Sequence, residues 1–124
     1  MDLAITGIRV VDGLGSSRDK GVILIHKDRI TAVGAMRDVR IPRNVRRIDG
    51  RGLTVLPGLI DCHVHLCLGG EADVVGTVEK EFTQVTLLKA AEMARRTIDA
   101  GFTTVRDLGF RDHSVFALKL AIDS

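Results

Sequence analysis

Along the 124-residue chain, the spacing of hydrophobic positions changes character near residue 56. Before that point short apolar stretches alternate loosely with polar residues and stop at turn formers, the pattern of half-buried strands. Leu3 to Val11 is one such stretch, closed by Asp12-Gly13, and Leu14 to Gly21 reads as a polar Gly/Ser loop. Val22 to His26 and Arg29 to Val33 flank Lys27-Asp28 as the arms of a hairpin. Arg37 to Asn44 reads as loop, because Pro42 bars a central strand. Arg46 to Asp49 and Leu53 to Leu56 bracket a further turn at Asp49-Gly50-Arg51-Gly52. Residues 1–56 are therefore expected to form a small β-rich unit.

From residue 57 the spacing becomes that of alternating strands and helices. Val55 to Leu66 is a branched, apolar run that enters through Pro57-Gly58 and reads as a buried strand. A Gly-containing loop, Leu66 to Gly76, follows it, and the Gly69-Gly70 pair there has no phosphate-loop pattern. Thr83 to Ala100 has helical spacing, with Leu87, Ala91, Ala94 and Ile98 on one stripe, and Gly101 is its C-terminal stop. Phe102 to Arg106 is a second strand, and Ser114 is placed to cap a last helix with Val115, Leu118 and Ile122 on its apolar side. Strand, helix, strand, helix is one βαβ crossover and the start of the next, so the fold class is α/β.

The candidate chemistry lies at the end of the first of these two strands. Alternation puts Asp61, His63 and His65 on one face and Cys62 and Val64 on the other. Histidines two positions apart stand about 7 Å apart at the backbone, so both rings can reach one divalent ion. Alone, His-X-His is a weak signal, commonly two solvent-facing residues. Here it falls where an apolar strand gives way to a loop, the position at which parallel α/β folds keep their chemistry. His63 and His65 are the candidate metal ligands. Asp61, one pair of residues deeper, reads as structural rather than as a ligand. Arg106 and Asp107 end the second strand on opposite faces, and the arginine either holds a substrate carboxylate or makes an ordinary salt bridge. His113 has no partner in ligand spacing, and His26 reads as an exposed structural histidine.

Composition narrows the class. Aromatic residues make up 3% of the chain, with no Trp or Tyr, which argues against stacking platforms for nucleic acid. The net charge of +2 is dispersed, and Arg40, Arg43, Arg46 and Arg47 read as a solvated loop and strand edge. The two cysteines do not make a disulfide framework, and Cys62 is expected as a small buried hydrophobe. Without a signal pattern or an apolar run of about 18 residues, the expectation is a cytoplasmic protein with no membrane partner.

Pro57-Gly58-Leu59-Ile60-Asp61-Cys62-His63-Val64-His65 resembles the first barrel strand of the amidohydrolase superfamily, metal-dependent hydrolases built on a (β/α)8 barrel. Ala100-Gly101-Phe102-Thr103-Thr104-Val105-Arg106-Asp107-Leu108-Gly109 is similar to the second strand of its imidazolonepropionase-like branch, which includes prolidase-type dipeptidases. The resemblance implies that residues 1–56 are the amino-terminal part of a composite β-sandwich and residues 57–124 the first two βα units of the barrel. It implies one or two divalent ions, usually zinc, that activate water for attack on an amide, cyclic amide or dipeptide. It carries only His63 and His65 over as ligands and gives Cys67 no role.

A closed barrel takes roughly 250 residues, so the stretch from Pro57 holds about two of eight repeats. The remaining ligands are then expected on later strands, outside this polypeptide. The 124 residues alone are expected to bind zinc weakly and to lack hydrolase activity. The sheet would be completed by the rest of a barrel or by another copy of the chain. The competing expectation is a non-catalytic scaffold or oligomerisation module that keeps a relic half-site.

Overall fold

The alternation that opens the chain builds strand β1 (Asp2–Val11), which pairs antiparallel with β2 (Ser17–His26); β2 pairs in turn with β3 (Arg29–Ala35). These observations come from a computed structural model that describes residues 2–124. The Lys27-Asp28 hairpin forms as expected, with His26 opposite Arg29 and Lys27 at φ 55°. The expected loop from Leu14 to Gly21 is much shorter. Asp12 Oδ1 accepts the backbone N–H groups of Leu14 and Ser16, and pairing resumes at Ser17. The polar residues Ser17 to Lys20 then continue the ladder past two register shifts, with Gly7 and Lys20 at positive φ. Ladder bonds are made by the backbone, so exposed polar residues extend a strand whose buried part is only Gly21 to Ile23.

The turn expected at Asp49 to Gly52 forms, with Leu53 N–H donating to Gly50 O at 3.0 Å, but it does not make a hairpin. Strands β4 (Arg46–Asp49) and β5 (Thr54–Val55) do not fold back on each other; both run parallel to β1. The chain steps away from β1 and returns, the step being pinned by Gly50 N–H to Thr6 O at 2.8 Å and Arg9 N–H to Leu53 O at 3.0 Å. Arg51 folds over Gly7 here, where a Cβ would lie 2.8 Å from its Cγ, and holds the Asp49 carboxylate below its ordinary range. The five strands form one sheet in the order β3-β2-β1-β4, with β5 also on β1, and Ala4, Ile8, Val22 and Ile23 are its buried apolar residues. Arg40, Arg43, Arg46 and Arg47 are exposed, as is His26, whose Nδ1 lies 2.8 Å from Asp2 Oδ1.

Residues up to Pro57 and from Gly58 onward are two separate compact units. The second contains β6 (Leu59–Val64) and β7 (Phe102–Asp107), paired parallel, with helices α1 (Val74–Lys80), α2 (Thr83–Asp99) and α3 (Ser114–Asp123). Helix α1 begins at Val74, inside the stretch to Gly76 that the glycines made look like loop, and runs on past it; Asp73 caps it by accepting the Gly76 N–H at 2.8 Å. Helix α2 ends as expected at Gly101, φ 94°.

The core of this unit is Leu66, Cys67, Ala90 and Leu118, with Val64, Leu87, Met93, Ala94, Val105, Phe110 and Val115 packed on it. Of the expected stripe on α2, Leu87 and Ala94 face this core, whereas Ala91 and Ile98 are exposed; Thr86 and Ala90 complete the buried face. On α3, Leu118 is buried but Ile122 is exposed. Ser114 is the first residue of α3 rather than its cap, and its backbone N–H is taken by Asp112 Oδ1 at 2.9 Å. The apolar run was expected to be buried throughout, yet Leu59 is 41% and Ile60 64% exposed, because among the described residues β6 has β7 as its one neighbouring strand. Among the described residues no helix is long and apolar enough to cross a membrane.

Candidate metal centre

Parallel pairing brings the carboxyl ends of β6 and β7 side by side, and the residues that follow each strand lock together. The register is irregular in a compensating way. Leu59 faces Phe102, Ile60 and Asp61 face Thr104 and Val105, and Val64 faces Asp107, so β7 gains a residue near Thr103 and β6 gains one near Cys62-His63. The bulge releases the Cys62 carbonyl from the ladder, and Arg106 Nε–H donates to it at 2.9 Å. Of the two roles expected of Arg106, the ordinary salt bridge is not the one seen: the side chain is exposed, and among the described residues it makes no ion pair. Cys62, expected to be buried, is exposed.

The two candidate ligands stay on one side despite the bulge. The rings of His63 and His65 are 5.5 Å apart at their centroids and meet edge to face at 71°. His65 stands just past the end of β6, and its Nδ1 lies 2.9 Å from Gly109 O. A carbonyl can only accept, so Nδ1 carries the hydrogen, and in the neutral ring the lone pair is then on Nε2. Asp61 does not touch either ring. Its Oδ1 accepts the backbone N–H of His63 at 3.0 Å, the structural role expected of it.

Asp107 plays a part that alternation alone did not reveal. Its Oδ2 accepts the Leu66 N–H at 2.8 Å and its Oδ1 the Gly109 N–H at 2.7 Å, so one carboxylate holds the loops that follow both strands. The readable signal was the Asp-x-Gly spacing of Asp107-Leu108-Gly109, a side chain bonding to its own backbone two residues on. Leu108 N–H to Val64 O, 3.0 Å, adds a backbone tie between the same strands.

Cys67 is buried below this surface; burial, reinforced by the carboxylates of Asp107 and Asp112, pushes its thiol up to about 11. It is a protonated core residue. His113 lies 5.8 Å from Phe116, ring to ring, and is not brought to the histidine pair. The donor set fits a nitrogen-preferring divalent cation in type and tautomer, but not in number. Among the described residues, no three His, Cys, Asp or Glu side chains are grouped to hold a metal.

The chain belongs to the amidohydrolase family, whose model matches residues 54–124. It is 43% identical over 58 residues to an imidazolonepropionase of Alkaliphilus metalliredigens, a match covering 44% of this chain and 14% of that protein. It is 42% identical over 65 residues to an N-acyl-D-glutamate deacylase of Alcaligenes xylosoxydans xylosoxydans, covering 52% of this chain and 13% of that one. A Xaa-Pro dipeptidase solved with methionine in its active site superposes with a TM-score of 0.81 at 26% identity, over 99% of this chain and 30% of the dipeptidase. The chain thus spans a small part of the length of the proteins it matches. The mixed α/β arrangement of strands and helices is that of amidohydrolase structures.

Proposed function

We propose that this chain carries two ligands, His63 and His65, of the divalent-cation site of a hydrolase that cleaves carbon–nitrogen bonds in amides, cyclic amides or dipeptides. The observation that carries the reading is the His65 Nδ1–H bond to Gly109 O, which orients the ring and leaves Nε2 free, as in histidines that ligate metals. When bound, the cation, most simply zinc given its nitrogen donors, supplies an activated water at neutral pH. The chain's own residues do the positioning. His65 presents Nε2, His63 stands beside it, and Asp61 secures the backbone between them.

In this reading residues 58–124 are the opening two strand–helix units of a (β/α)8 barrel, and residues 2–57 are part of a β-sandwich. Parallel β6 and β7, joined through helix and bearing the histidines at a carboxyl end, support the first assignment. The names of the relatives support a carbon–nitrogen substrate and leave several kinds open. Two protein donors fall short of the three usual at a catalytic zinc, so the 124 residues by themselves are expected to bind weakly and to turn nothing over.

Calorimetric titration with zinc tests the reading. Binding is expected to weaken at least tenfold in His63→Ala and in His65→Ala. Unchanged affinity in the double variant would overturn it, as would amide hydrolysis by the 124-residue chain that survives both substitutions.

A further inference from the structure

We infer that Asp107 is the positioning residue that sets the tautomer of His65, acting through the backbone of Gly109. This rests on the reading of His65 as a ligand, and it extends that reading to a residue outside the donor set.

The geometry is a relay of three groups. Asp107 Oδ1 accepts the Gly109 N–H at 2.7 Å, which fixes that residue. Gly109 sits at φ 98°, a conformation that side chains rarely adopt, and a Cβ there would meet nothing within 4 Å. The glycine is therefore required by backbone conformation rather than by crowding. Its carbonyl accepts His65 Nδ1–H at 2.9 Å. The second carboxylate oxygen takes the N–H of Leu66, the residue that follows His65, at 2.8 Å. One side chain thus holds the ring's acceptor from one strand and the ring's own backbone from the other. Both oxygens are used as acceptors, and an amide of the same shape offers one.

Histidine ring-nitrogen chemical shifts, read by NMR on the 15N-labelled, metal-free chain at a pH where the rings are neutral, test the relay directly. In the wild type His65 is expected to hold its proton on Nδ1. Asp107→Asn should shift part of the population to Nε2–H, and Gly109→Ala should do the same by turning the carbonyl with Asp107 intact. A role confined to stability would lower the melting temperature and leave the tautomer unchanged, and that outcome in both variants would overturn the inference. Asp107→Ala is expected to weaken cobalt binding, followed by its visible absorption, about 10- to 100-fold, with Asp107→Asn between it and wild type. Where Asp107→Ala fails to fold, the Asn and Gly109 variants carry the test alone. Failure of the metal site itself reads differently: His63→Ala and His65→Ala would then leave cobalt binding untouched, while the tautomer still follows Asp107.

Discussion

The sheet of residues 2–57 and the parallel pair of residues 58–124 both contain irregular register, and they absorb it by different means. Around β1 the backbone does the work, through Gly7 and Lys20 at positive φ where β1 meets β2 and a step at Gly50 where it meets β4 and β5, and every one of these strands stays paired. Between β6 and β7 side chains do it: Arg106 takes the carbonyl that the bulge releases, and Asp107 ties down both loops. A backbone solution tolerates changes of exposed side chains. A side-chain solution concentrates the requirement in two residues next to the candidate ligands.

The contrast is broken most severely where β7's extra residue presses on the other strand. A Cβ at Gly58 would lie 2.1 Å from Thr103 Oγ1 and 2.7 Å from Thr103 Cβ. Gly58→Val is expected to destabilise the second unit by about 3 kcal/mol, read as faster hydrogen exchange in β6 and β7. Thr103→Gly in the same molecule should recover part of the loss, since the two sites touch. A smaller effect of opposite sign sharpens the other side of the comparison. Lys20 holds φ 53° with a side chain, so Lys20→Gly is expected to stabilise the first sheet by about 0.5 kcal/mol, the relief of backbone strain less the entropy glycine brings to the unfolded chain. Denaturation monitored through exchange in β1 and β2 would measure it.

The smallest effect expected is one of pH. In the second unit Glu92 is held down to about 2 by hydrogen bonds from Arg95 and Arg96. Glu71, Glu81 and Asp112 also lie below their ordinary range, the first through backbone N–H groups, the second through Lys89, the third through Ser114. A carboxyl whose folded value is depressed adds stability above its unfolded value and loses it as the pH falls through the folded one. Acid should therefore erode the second unit from about pH 4.5 downward, the ordinary value of Glu. Because these groups are exposed or partly so, the loss should be slight. Helical circular dichroism on melting at stepped pH should show it, and Glu92→Gln should flatten the dependence.

How far the letters of the chain disclosed these features follows from what each depends on. The hairpin at Lys27-Asp28, the stop at Gly101 and the strand–helix–strand order rest on local spacing and turn chemistry, and all were readable. So was the pairing of His63 with His65 on one side, although the bulge beneath them was not. Ser17 to Lys20 looked like loop because strand signals count side chains, whereas the ladder that captures them is made by backbone. The parallel course of β4 and β5 depends on β1, some forty residues away, and a Gly-rich step looks locally like a reversal. Ala91 and Ile98 were placed on the core stripe of α2 by period alone; which edge of a helix is covered depends on its neighbours. Asp107 was visible as a strand-end carboxylate, but its two bonds reach groups 41 and 2 residues away, and only the closer has a spacing signature.

The parallel placement of β4 and β5 on β1 also dictates an order of assembly. Joining β1 to β2 and β2 to β3 closes only short loops, the kind of event that takes about 1–10 μs for a hairpin. Joining β1 to Arg46–Val55 requires the intervening chain to be gathered first, an entropic cost that grows with the loop. The three-stranded meander should thus form early, leaving one edge of β1 open until the later segment arrives. In pulse-labelled refolding, the amides of Gly50 and Arg9, which seal that edge, should be the last in this sheet to gain protection.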